Sequence, residues 1–304
     1  MKNGTPKAIL IGAMCIVLAV MAGCSIPSSS KASDTVTVLG KDFTEQDILA
    51  NIVSIMIAKN TDLKVNTKAF LGGTDVVFKA LNSGDGDVYV EYTGTGLVNI
   101  MGEEVITDPD KAYEKVKEEF PKKYNIEWLK PIGFNNTYAI AVQAETAQKY
   151  NLKTVSDLKA HAGDIVFGTE QEFLERDDGL KGLLKTYDLS FKDVKAMAVG
   201  LKYQALTSGK VNAMDAFTTD GLLIKNQLVL LEDDKHFFPP YYAAPIVRSD
   251  TLKKHPEIGQ VLNQLAGKID EKAMAELNAK VDEEKRKAKD VAEEWLTTNG
   301  LIKS

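Results

Sequence analysis

A repeated segment is the feature that most constrains how this chain can fold. Residues 80–97 (ALNSGDGDVYVEYTGTGL) align without gaps to residues 205–222 (ALTSGKVNAMDAFTTDGL), with seven of eighteen positions identical at an offset of 125 residues. Each copy reads as a helix end, a Ser-Gly turn, a strand and a loop rich in Thr and Gly. The repeat predicts two similar α/β lobes, each with its own sheet; the alternative is a chance match.

Strand and helix patterns alternate along the first part of the chain. Apolar alternation predicts three strands, at residues 35–40, 63–70 and 87–92. Helices are predicted between them, one beginning near Phe43 with Thr44 as its N-cap and running to Ile57, the other at 74–82. Strands that alternate with helices indicate a parallel sheet with helices on its faces, and therefore an α/β fold.

Two segments have the pattern of passages between the lobes. Residues 128–142 (WLKPIGFNNTYAIAV) run from a strand through a polar Asn-Asn-Thr bend into another strand, and residues 237–247 (FFPPYYAAPIV) do the same with prolines at the bend. The first lobe is then predicted to contain residues 34–136 plus 243–304, and the second lobe residues 137–242. Open α/β sheets bind ligands at the carboxyl ends of their strands, so a binding cleft is expected between the lobes.

The C-terminal stretch belongs with the first lobe in this scheme. Residues 257–298 have helical periodicity, and Trp295 and Leu296 lie on the apolar side. We therefore expect the C-terminal helices to pack back onto the first lobe.

The N-terminus has the pattern of an export signal. Lys2 and Lys7 precede an apolar run over residues 8–22, which is short for a membrane span and is followed by Gly23, Cys24 and a Ser-rich segment. Small residues just before a cysteine indicate lipid attachment at Cys24. The sequence therefore predicts a lipoprotein signal peptide at 1–23 and a flexible tether at 24–34; the alternative is a plain secretory signal with an incidental cysteine.

Composition excludes several classes of function. The two cysteines, Cys15 and Cys24, lie within the predicted signal and at its end, so the folded region has no disulfide, thiolate metal site or cysteine nucleophile. A net charge of −6 argues against a general nucleic-acid binder, because that function needs a basic face. His161, His236 and His255 share no metal-ligand spacing, and no catalytic motif is present. No metal, cofactor or enzymatic activity is expected.

Aromatic residues recur where a predicted strand or bend meets a loop. They are Phe43, Tyr92, Tyr138, Phe217, and either Tyr241 or Tyr242, which adjacent positions on an extended segment leave open. Each could be a core residue taken alone. Aromatic faces that converge on one cleft would suit a quaternary ammonium cation, whose methyl groups cannot donate strong hydrogen bonds.

The chain resembles a known family, the substrate-binding lipoproteins of osmoprotectant ABC importers of the OpuB/OpuC type. Members of this family bind choline, glycine betaine and carnitine. The resemblance covers essentially the whole mature chain. It rests on the small residues just before Cys24, which form a lipobox, and on six further motifs. These are KDFTEQ (41–46), LGGTDVVFKAL (71–81), VYVEYTGTGL (88–97), GFNNTYAIAV (133–142), DAFTTDGLL (215–223) and FFPPYYAAP (237–245). It implies a two-lobe periplasmic-binding-protein fold of type II, with two crossover segments and an interlobe cleft.

The resemblance also implies an aromatic cage for the ligand. Its tyrosines carry over to Tyr92, Tyr138 and Tyr241, and the fourth position falls at Phe217, where the family often has tyrosine. Phenylalanine keeps the π face and loses the hydroxyl. Phe43, Gln46 and Asn135 are expected to line the site as well.

Asp75 bears on the preferred ligand. A carboxylate at the head of a helix that faces the cleft could accept a hydrogen bond from the choline hydroxyl and would repel the carboxylate of a betaine. The alternative is that Asp75 only stabilises the helix N-terminus. On this basis choline is favoured, with glycine betaine, carnitine or another betaine such as ergothioneine as alternatives.

The partners follow from the same resemblance. It implies an ABC permease and, through it, a cytoplasmic ATPase, with the protein held at the outer face of the cell membrane by a lipid on Cys24. A monomer is expected. An enzyme on a similar scaffold is the competing class; it would need a buried acid/base pair in the cleft.

Overall fold

The computed structural model describes residues 35–303, within which the chain forms ten β-strands and twelve α-helices. The predicted signal peptide, the tether and Cys24 lie outside the described residues. Among the helices of residues 35–303, none is both long and apolar enough to cross a membrane.

The first sheet has five strands in the order β2-β1-β3-β10-β4. They are Thr35–Leu39 (β1), Lys64–Lys68 (β2), Val88–Tyr92 (β3), Ile126–Trp128 (β4) and Ala243–Arg248 (β10). Strand β1 runs parallel to β2 and β3, whereas β10 is antiparallel to both β3 and β4.

The second sheet has the same plan, in the order β7-β6-β8-β5-β9. Its strands are Tyr138–Gln143 (β5), Val166–Thr169 (β6), Asp193–Ala196 (β7), Ala213–Phe217 (β8) and Leu228–Leu231 (β9). Strand β6 runs parallel to β7 and β8, and β5 is antiparallel to β8 and β9. Both sheets are therefore mixed rather than purely parallel, because the strand that follows each passage between the sheets runs against its neighbours.

The repeated segments form equivalent strands of the two sheets. Strand β3 and strand β8 lie 125 residues apart, each has five residues, and every residue of both is buried. Each strand lies in the middle of its sheet, between a parallel neighbour and an antiparallel neighbour. Tyr92 and Phe217, the last residues of these strands, occupy matching positions. The α/β fold predicted from the repeat is confirmed.

The helices connect the strands and cover the sheets. They are Thr44–Asn60 (α1), Thr74–Ser83 (α2), Pro109–Tyr124 (α3), Ala144–Tyr150 (α4), Gln171–Glu175 (α5), Leu180–Tyr187 (α6), Val199–Thr207 (α7), Leu222–Lys225 (α8), Ser249–Lys254 (α9), Pro256–Leu262 (α10), Glu271–Asp282 (α11) and Ala288–Thr298 (α12).

The start of α1 differs from the sequence prediction. Phe43, not Thr44, is the N-cap residue, with extended backbone and no side-chain capping bond. The hydroxyl of Thr44 instead donates a hydrogen bond to Asp282 Oδ1 at 2.6 Å, and so connects α1 to α11. Moving the helix start by one residue places the Phe43 ring at the junction between β1 and α1.

The two predicted crossover segments are confirmed, and they run side by side. The chain passes from the first sheet to the second between β4 and β5, and returns between β9 and β10. Asn135 and Tyr242 form an isolated antiparallel bridge between the two passages. The amide of Asn136 donates to the carbonyl of Tyr241 at 3.0 Å, and the amide of Ala243 donates to the carbonyl of Phe134 at 3.3 Å.

Each sheet falls within one of the two predicted lobes. All strands of the first sheet lie within residues 34–136 or 243–304, and all strands of the second lie within 137–242. The lobe boundaries themselves stay a prediction.

The C-terminal helices pack against α1, as their periodicity suggested. Helix α12 contacts α1, and α11 contacts the same helix. Leu296 is fully buried in the core that includes α1, and Trp295 is partly buried against it.

We expect Leu296→Ala to lower the free energy of unfolding by about 2–5 kcal/mol, because it removes a fully buried side chain and leaves a cavity between α12 and α1. Urea denaturation followed by circular dichroism would measure the change. Thr298→Ala, at an exposed position of the same helix, is the matched control and should change stability by less than about 0.5 kcal/mol. Equal effects of the two substitutions would contradict the packing described for α12.

Candidate functional site

Five aromatic side chains line one cavity: Phe43, Tyr92, Tyr138, Phe217 and Tyr241. Tyr92 ends β3 and Phe217 ends β8, Tyr138 begins β5, and Tyr241 lies two residues before β10. Four of the rings are buried, and Phe43 is partly buried. Ends of strands from both sheets therefore converge on this cavity.

The aromatic rings contact one another in several orientations. Phe43 and Phe217 stack with centroids 5.5 Å apart and an interplanar angle of 12°. Tyr138 lies 4.8 Å from Phe217, and it meets Tyr241 edge to face at 5.5 Å. The cluster thus presents both faces and edges around one small space.

Tyr241, rather than Tyr242, lines the cavity. Its side chain is 2% exposed, its hydroxyl donates to Asp178 Oδ2 at 2.7 Å, and its amide donates to Asn135 Oδ1 at 2.7 Å. A Cβ atom on Gly94 would lie 2.8 Å from the Tyr241 ring, so the absence of a side chain there lets the ring take its position. Tyr242 is half-buried and does not line the cavity.

Tyr92 is held from behind by polar side chains of α1. Its hydroxyl donates to Glu45 Oε1 at 2.7 Å and accepts from Gln46 Nε2 at 3.1 Å. The same amide of Gln46 donates to the carbonyl of Val90 at 2.8 Å. Gln46 therefore positions the cavity tyrosine and is not itself in the cavity lining.

Glu45 is a buried carboxylate with four hydrogen-bond donors. Besides Tyr92, these are Asn136 Nδ2 at 2.7 Å, Thr219 Oγ1 at 2.6 Å and Asn278 Nδ2 at 3.1 Å. Burial raises the pKa of Glu45, and the hydrogen bonds only partly offset this effect. The donors come from β3, the first crossover segment, the loop after β8 and α11, so this one side chain joins elements of both sheets.

A lysine from the end of β1 reaches the same cavity. Lys41 Nζ donates to Thr74 Oγ1 at 2.8 Å and to Glu91 Oε1 at 2.7 Å, and both residues of this ion pair are buried. The ammonium lies 5.3 Å from the centre of the Tyr92 ring, within the range of a cation–π contact.

Arg176 provides a second cation on the cavity wall. Its guanidinium donates to Asp178 through Nε at 2.7 Å and Nη2 at 2.5 Å, to Glu172 at 2.9 Å and to Thr95 at 3.2 Å. The Cζ atom lies 5.7 Å from the centre of the Tyr138 ring. Both cations of the lining therefore lie over tyrosine rings of the aromatic cluster.

Glu172 links the two cations and the head of α2. Its carboxylate accepts from the amide of Thr74 at 3.1 Å and from the Thr74 hydroxyl at 2.5 Å, and it pairs with Arg176. Burial alone would raise the pKa of this carboxyl, but Lys41, Arg176 and the Thr74 bonds outweigh it and lower the pKa of Glu172 to about 2. Glu172 is thus ionised at neutral pH.

Glu170 lines the cavity in a different environment. It is 8% exposed, and Tyr138 donates its hydroxyl proton to Oε1 at 3.3 Å. Burial, reinforced by the charge of Asp215, raises the pKa of Glu170 to about 8, although Lys202 acts in the opposite direction. Unlike Glu172, this side chain is mainly protonated at pH 7.

A buried ion pair lies beneath the Phe217 ring. Lys202 on α7 and Asp215 on β8 are both fully buried and bonded to each other. Lys202 Nζ lies 5.6 Å from the centre of the Phe217 ring. One face of this aromatic residue is therefore already next to a positive charge.

Three of the predicted site residues lie outside the cavity lining. Asp75 is exposed and borders a larger neighbouring groove, whereas its neighbour Thr74 is buried and bonded to Glu172. Asn135 holds the backbone of Tyr241, as Gln46 holds Tyr92, and Asn136 is the amide that lines the cavity. The placement of Asp75 does not favour the role expected for it.

Five charged residues of the cavity lining were not predicted from the sequence: Lys41, Asp42, Glu170, Glu172 and Arg176. A signal for two of them was present. Glu170 directly follows β6, and Lys41 lies two residues after β1. The rule that ligands bind at the carboxyl ends of strands, which was applied to aromatic residues, selects these two when it is applied to charged residues.

The histidines take no part in the cavity. His161 stacks on Tyr150 at 4.5 Å, and His255 lies 3.3 Å from Glu257. Within residues 35–303, no group of three His, Cys, Asp or Glu side chains is placed to hold a metal ion.

Comparison with known proteins gives the family. Residues 34–298 match the family described as the substrate binding domain of ABC-type glycine betaine transport systems. The carnitine transport binding protein OpuCC of Listeria monocytogenes is 39% identical over 93% of this chain and 92% of its own length. The ergothioneine transport permease/ergothioneine binding protein EgtU of Helicobacter pylori is 38% identical over 91% of this chain, which spans half of that protein.

A solved structure of the same kind of protein matches this chain over nearly the whole length of the solved chain. The crystal structure of a glycine betaine/carnitine/choline ABC transporter protein is 34% identical, with a TM-score of 0.72, and the match covers 88% of this chain and 99% of the other. The resemblance inferred from the sequence motifs is confirmed. With its paired α/β sheets and its cavity at their strand ends, the chain belongs to the family of substrate-binding proteins of glycine betaine/carnitine/choline ABC transporters.

Proposed function

We propose that this protein captures a betaine, a solute with a quaternary ammonium head and a carboxylate, and delivers it to an ABC permease. The observation that carries the proposal is a single cavity lined by five aromatic rings from both sheets and by two cations, Lys41 and Arg176. Aromatic faces suit the head of such a solute, and the cations suit its carboxylate.

The aromatic cluster can supply much of the affinity. Each ring face contributes about 0.5–2 kcal/mol to the binding of a desolvated cation. Four faces would contribute about 2–8 kcal/mol, which is comparable with the ~8 kcal/mol of a micromolar complex. Tyr92, Tyr138, Phe217 and Tyr241 are the proposed cage, with Phe43 stacked on Phe217 as an additional wall.

The two cations each keep a donor for the carboxylate. Lys41 Nζ has three protons and donates to two acceptors among the described residues. The guanidinium of Arg176 has five N–H bonds and makes four hydrogen bonds within residues 35–303, which leaves one on Nη1. A carboxylate between Lys41 and Arg176 could accept both remaining bonds.

A betaine is therefore favoured over choline. The preference for choline depended on Asp75, which is exposed and outside the cavity lining. Two relatives carry names that specify carnitine and ergothioneine, which are both betaines with a carboxylate. Glycine betaine, carnitine and ergothioneine are accordingly the candidate ligands.

Ligand capture would involve closure of the two predicted lobes, 34–136 plus 243–304 and 137–242. The bonds that Thr74 donates to Glu172 and that Arg176 donates to Thr95 join residues that the prediction assigns to different lobes. Such bonds would form on closure and hold the cavity shut around the solute. The closed form would then dock on the permease as a monomer.

The proposed place of action is supported by the family and by the predicted N-terminal signal. Family members are transport binding proteins rather than enzymes, and they act outside the cytoplasm. We propose that a lipid on Cys24 holds this protein at the outer face of the cell membrane, and that residues 24–34 act as the tether. The permease would pass the solute inward with energy from a cytoplasmic ATPase.

We expect glycine betaine, carnitine or ergothioneine to bind more tightly than choline, because only the betaines present a carboxylate to Lys41 and Arg176. Isothermal titration calorimetry of the mature chain with the four ligands would rank them. Betaine aldehyde, which has the same head without the carboxylate, is the matched control ligand and should bind about as weakly as choline. Choline bound more tightly than all three betaines would contradict the proposal.

Tyr138→Ala and Tyr241→Ala should each weaken binding of the best of these ligands by more than tenfold, because each removes one wall of the aromatic cluster. Calorimetric titration would measure affinity, and thermal unfolding would confirm that the variants are folded. Tyr242→Ala is the matched control, since Tyr242 is the adjacent tyrosine and lies outside the cavity lining. Normal binding by both cavity variants would show that the cage is assigned incorrectly.

Gly94→Ala should weaken ligand binding by displacing the Tyr241 ring. The backbone of Gly94, with φ −62° and ψ −40°, accepts an alanine, but the new Cβ would lie 2.8 Å from that ring and 2.9 Å from Pro239 Cγ. We expect a loss of about fivefold or more, measured by the same titration. Gly163→Ala, whose Cβ would meet nothing within 4 Å, should leave affinity unchanged. An unaltered affinity in Gly94→Ala would mean that the ring position does not matter.

A further inference from the structure

Glu170 occupies a position at the cavity that the proposed cage leaves unexplained. It follows the last residue of β6 and is the N-cap residue of α5, but its side chain makes no capping bond. The carboxyl group instead turns to the cavity that Tyr138 and Tyr241 line, and the residue is 8% exposed.

The carboxyl group of Glu170 has no cationic partner within ion-pair distance among residues 35–303. The neighbouring buried carboxylates do have one: Glu91 pairs with Lys41, Asp178 with Arg176, and Asp215 with Lys202. The hydrogen bond that Glu170 accepts from Tyr138 is long, at 3.3 Å. A buried carboxylate in this position is costly unless a positive charge arrives.

Glu45 shows another way in which this molecule satisfies a buried carboxyl group. It too is buried and has no lysine or arginine partner in the described part of the chain, but four hydrogen-bond donors surround it. Glu170 has one donor to its side chain and borders the space that a ligand would fill. The side of the Glu170 carboxyl group that lacks a bonded partner therefore faces the space that a ligand would fill.

We propose that Glu170 is the counter-ion of the quaternary ammonium head of the ligand. This inference rests on the proposed function and adds a residue to the head-group site. A quaternary ammonium group has no N–H to donate, so an anion can recognise it only through charge at contact distance. Such an attraction is strong where water is excluded.

Among the charged groups in this part of the cavity, Glu170 is the one that would respond to an arriving cation. The groups that face it are Tyr138 on β5, Glu172 on α5, Arg176 just after α5, Lys202 on α7 and Asp215 on β8. Glu172 pairs with Arg176, and Asp215 pairs with Lys202. The charges within each pair largely cancel, so an arriving cation would act mainly on Glu170.

The proton balance has a definite sign. Burial raises the pKa of Glu170 to about 8 in the free protein, so this side chain carries about 0.9 proton at pH 7 and about 0.1 proton at pH 9. A cation that contacts the carboxylate lowers its pKa, and the proton leaves to solvent as the ligand binds. If the pKa in the complex falls well below 7, affinity should rise about tenfold from pH 7 to pH 9.

Calorimetry of the mature chain with glycine betaine tests this inference. Titrations at pH 7 in phosphate and in Tris, which differ in ionisation enthalpy, give the number of protons released. We expect at least 0.5 proton at pH 7, less than 0.2 at pH 9, and a matching rise in affinity. No proton release and no pH dependence between pH 7 and pH 9 would overturn the assignment of Glu170.

A second probe separates charge from shape. The 3,3-dimethylbutanoate anion has the shape of glycine betaine, with carbon in place of the charged nitrogen. Its binding should release no proton and should not strengthen between pH 7 and pH 9. Proton release on binding of this uncharged-head probe would assign the titration to the carboxylate end of the site and overturn the proposal.

Glu170→Gln supplies the matched variant. Glutamine resembles the protonated side chain and keeps an acceptor for Tyr138, so we expect a folded protein that binds glycine betaine without proton release. Its affinity should lie below that of the unaltered chain, by a factor that grows about tenfold from pH 7 to pH 9. Glu175→Gln removes an exposed carboxylate of the same helix and should leave both quantities unchanged.

The outcomes keep the two proposals apart. If the unaltered chain binds none of the betaines, the proposed function fails, and the role of Glu170 fails with it. If the chain binds glycine betaine but Glu170→Gln behaves like Glu175→Gln, only the role of Glu170 fails.

Discussion

The buried carboxylate of Glu45 is the interaction on which the arrangement of the site depends. Its two oxygens accept bonds from β3, from the first crossover segment, from the loop after β8 and from α11. No packing of apolar side chains could fix four separate elements with the same directionality, because the hydrophobic effect is non-directional. The position of Tyr92 in the cavity is therefore set together with the relative position of the two sheets.

The charged groups form a connected path across the cavity wall. It runs from Glu91 through Lys41 and Thr74 to Glu172 and Arg176, and each step is a hydrogen bond or an ion pair. Arg176 continues the path through Asp178 to the hydroxyl of Tyr241. Buried charges are costly unless they are paired and bonded, so this path persists only when all its members are in place. That requirement makes the shape of the cavity specific.

Much of the fold could be predicted from the sequence, because the repeat and the strand patterns are local signals. The strands at 88–92 and 213–217 lie where the aligned segments placed them, and Tyr92 and Phe217 occupy matching ends. The antiparallel direction of β5 and β10 could not be predicted in this way, since it depends on the crossover segments rather than on the residues of these strands.

The site residues that could be predicted are likewise those with a local signal in the sequence. The aromatic residues could be selected because they stand next to breaks in secondary structure. Asp75 was selected by the same reasoning, yet it is exposed, because the first turn of α2 presents Thr74 to the interior instead. Whether a charged residue such as Glu170 or Arg176 faces a cavity or solvent depends on partners distant in the sequence, and no local pattern encodes that.

The bridge between Asn135 and Tyr242 has a mechanical consequence. Two strands of backbone that are bonded side by side would resist twisting and shear, so in the proposed closure the two crossover segments would bend together about one axis. The side chain of Asn135 also holds the amide of Tyr241. The backbone of Tyr241 thus belongs to the paired crossover segments, and in the proposed closure this wall of the cavity would stay with them, with its hydroxyl held by Asp178.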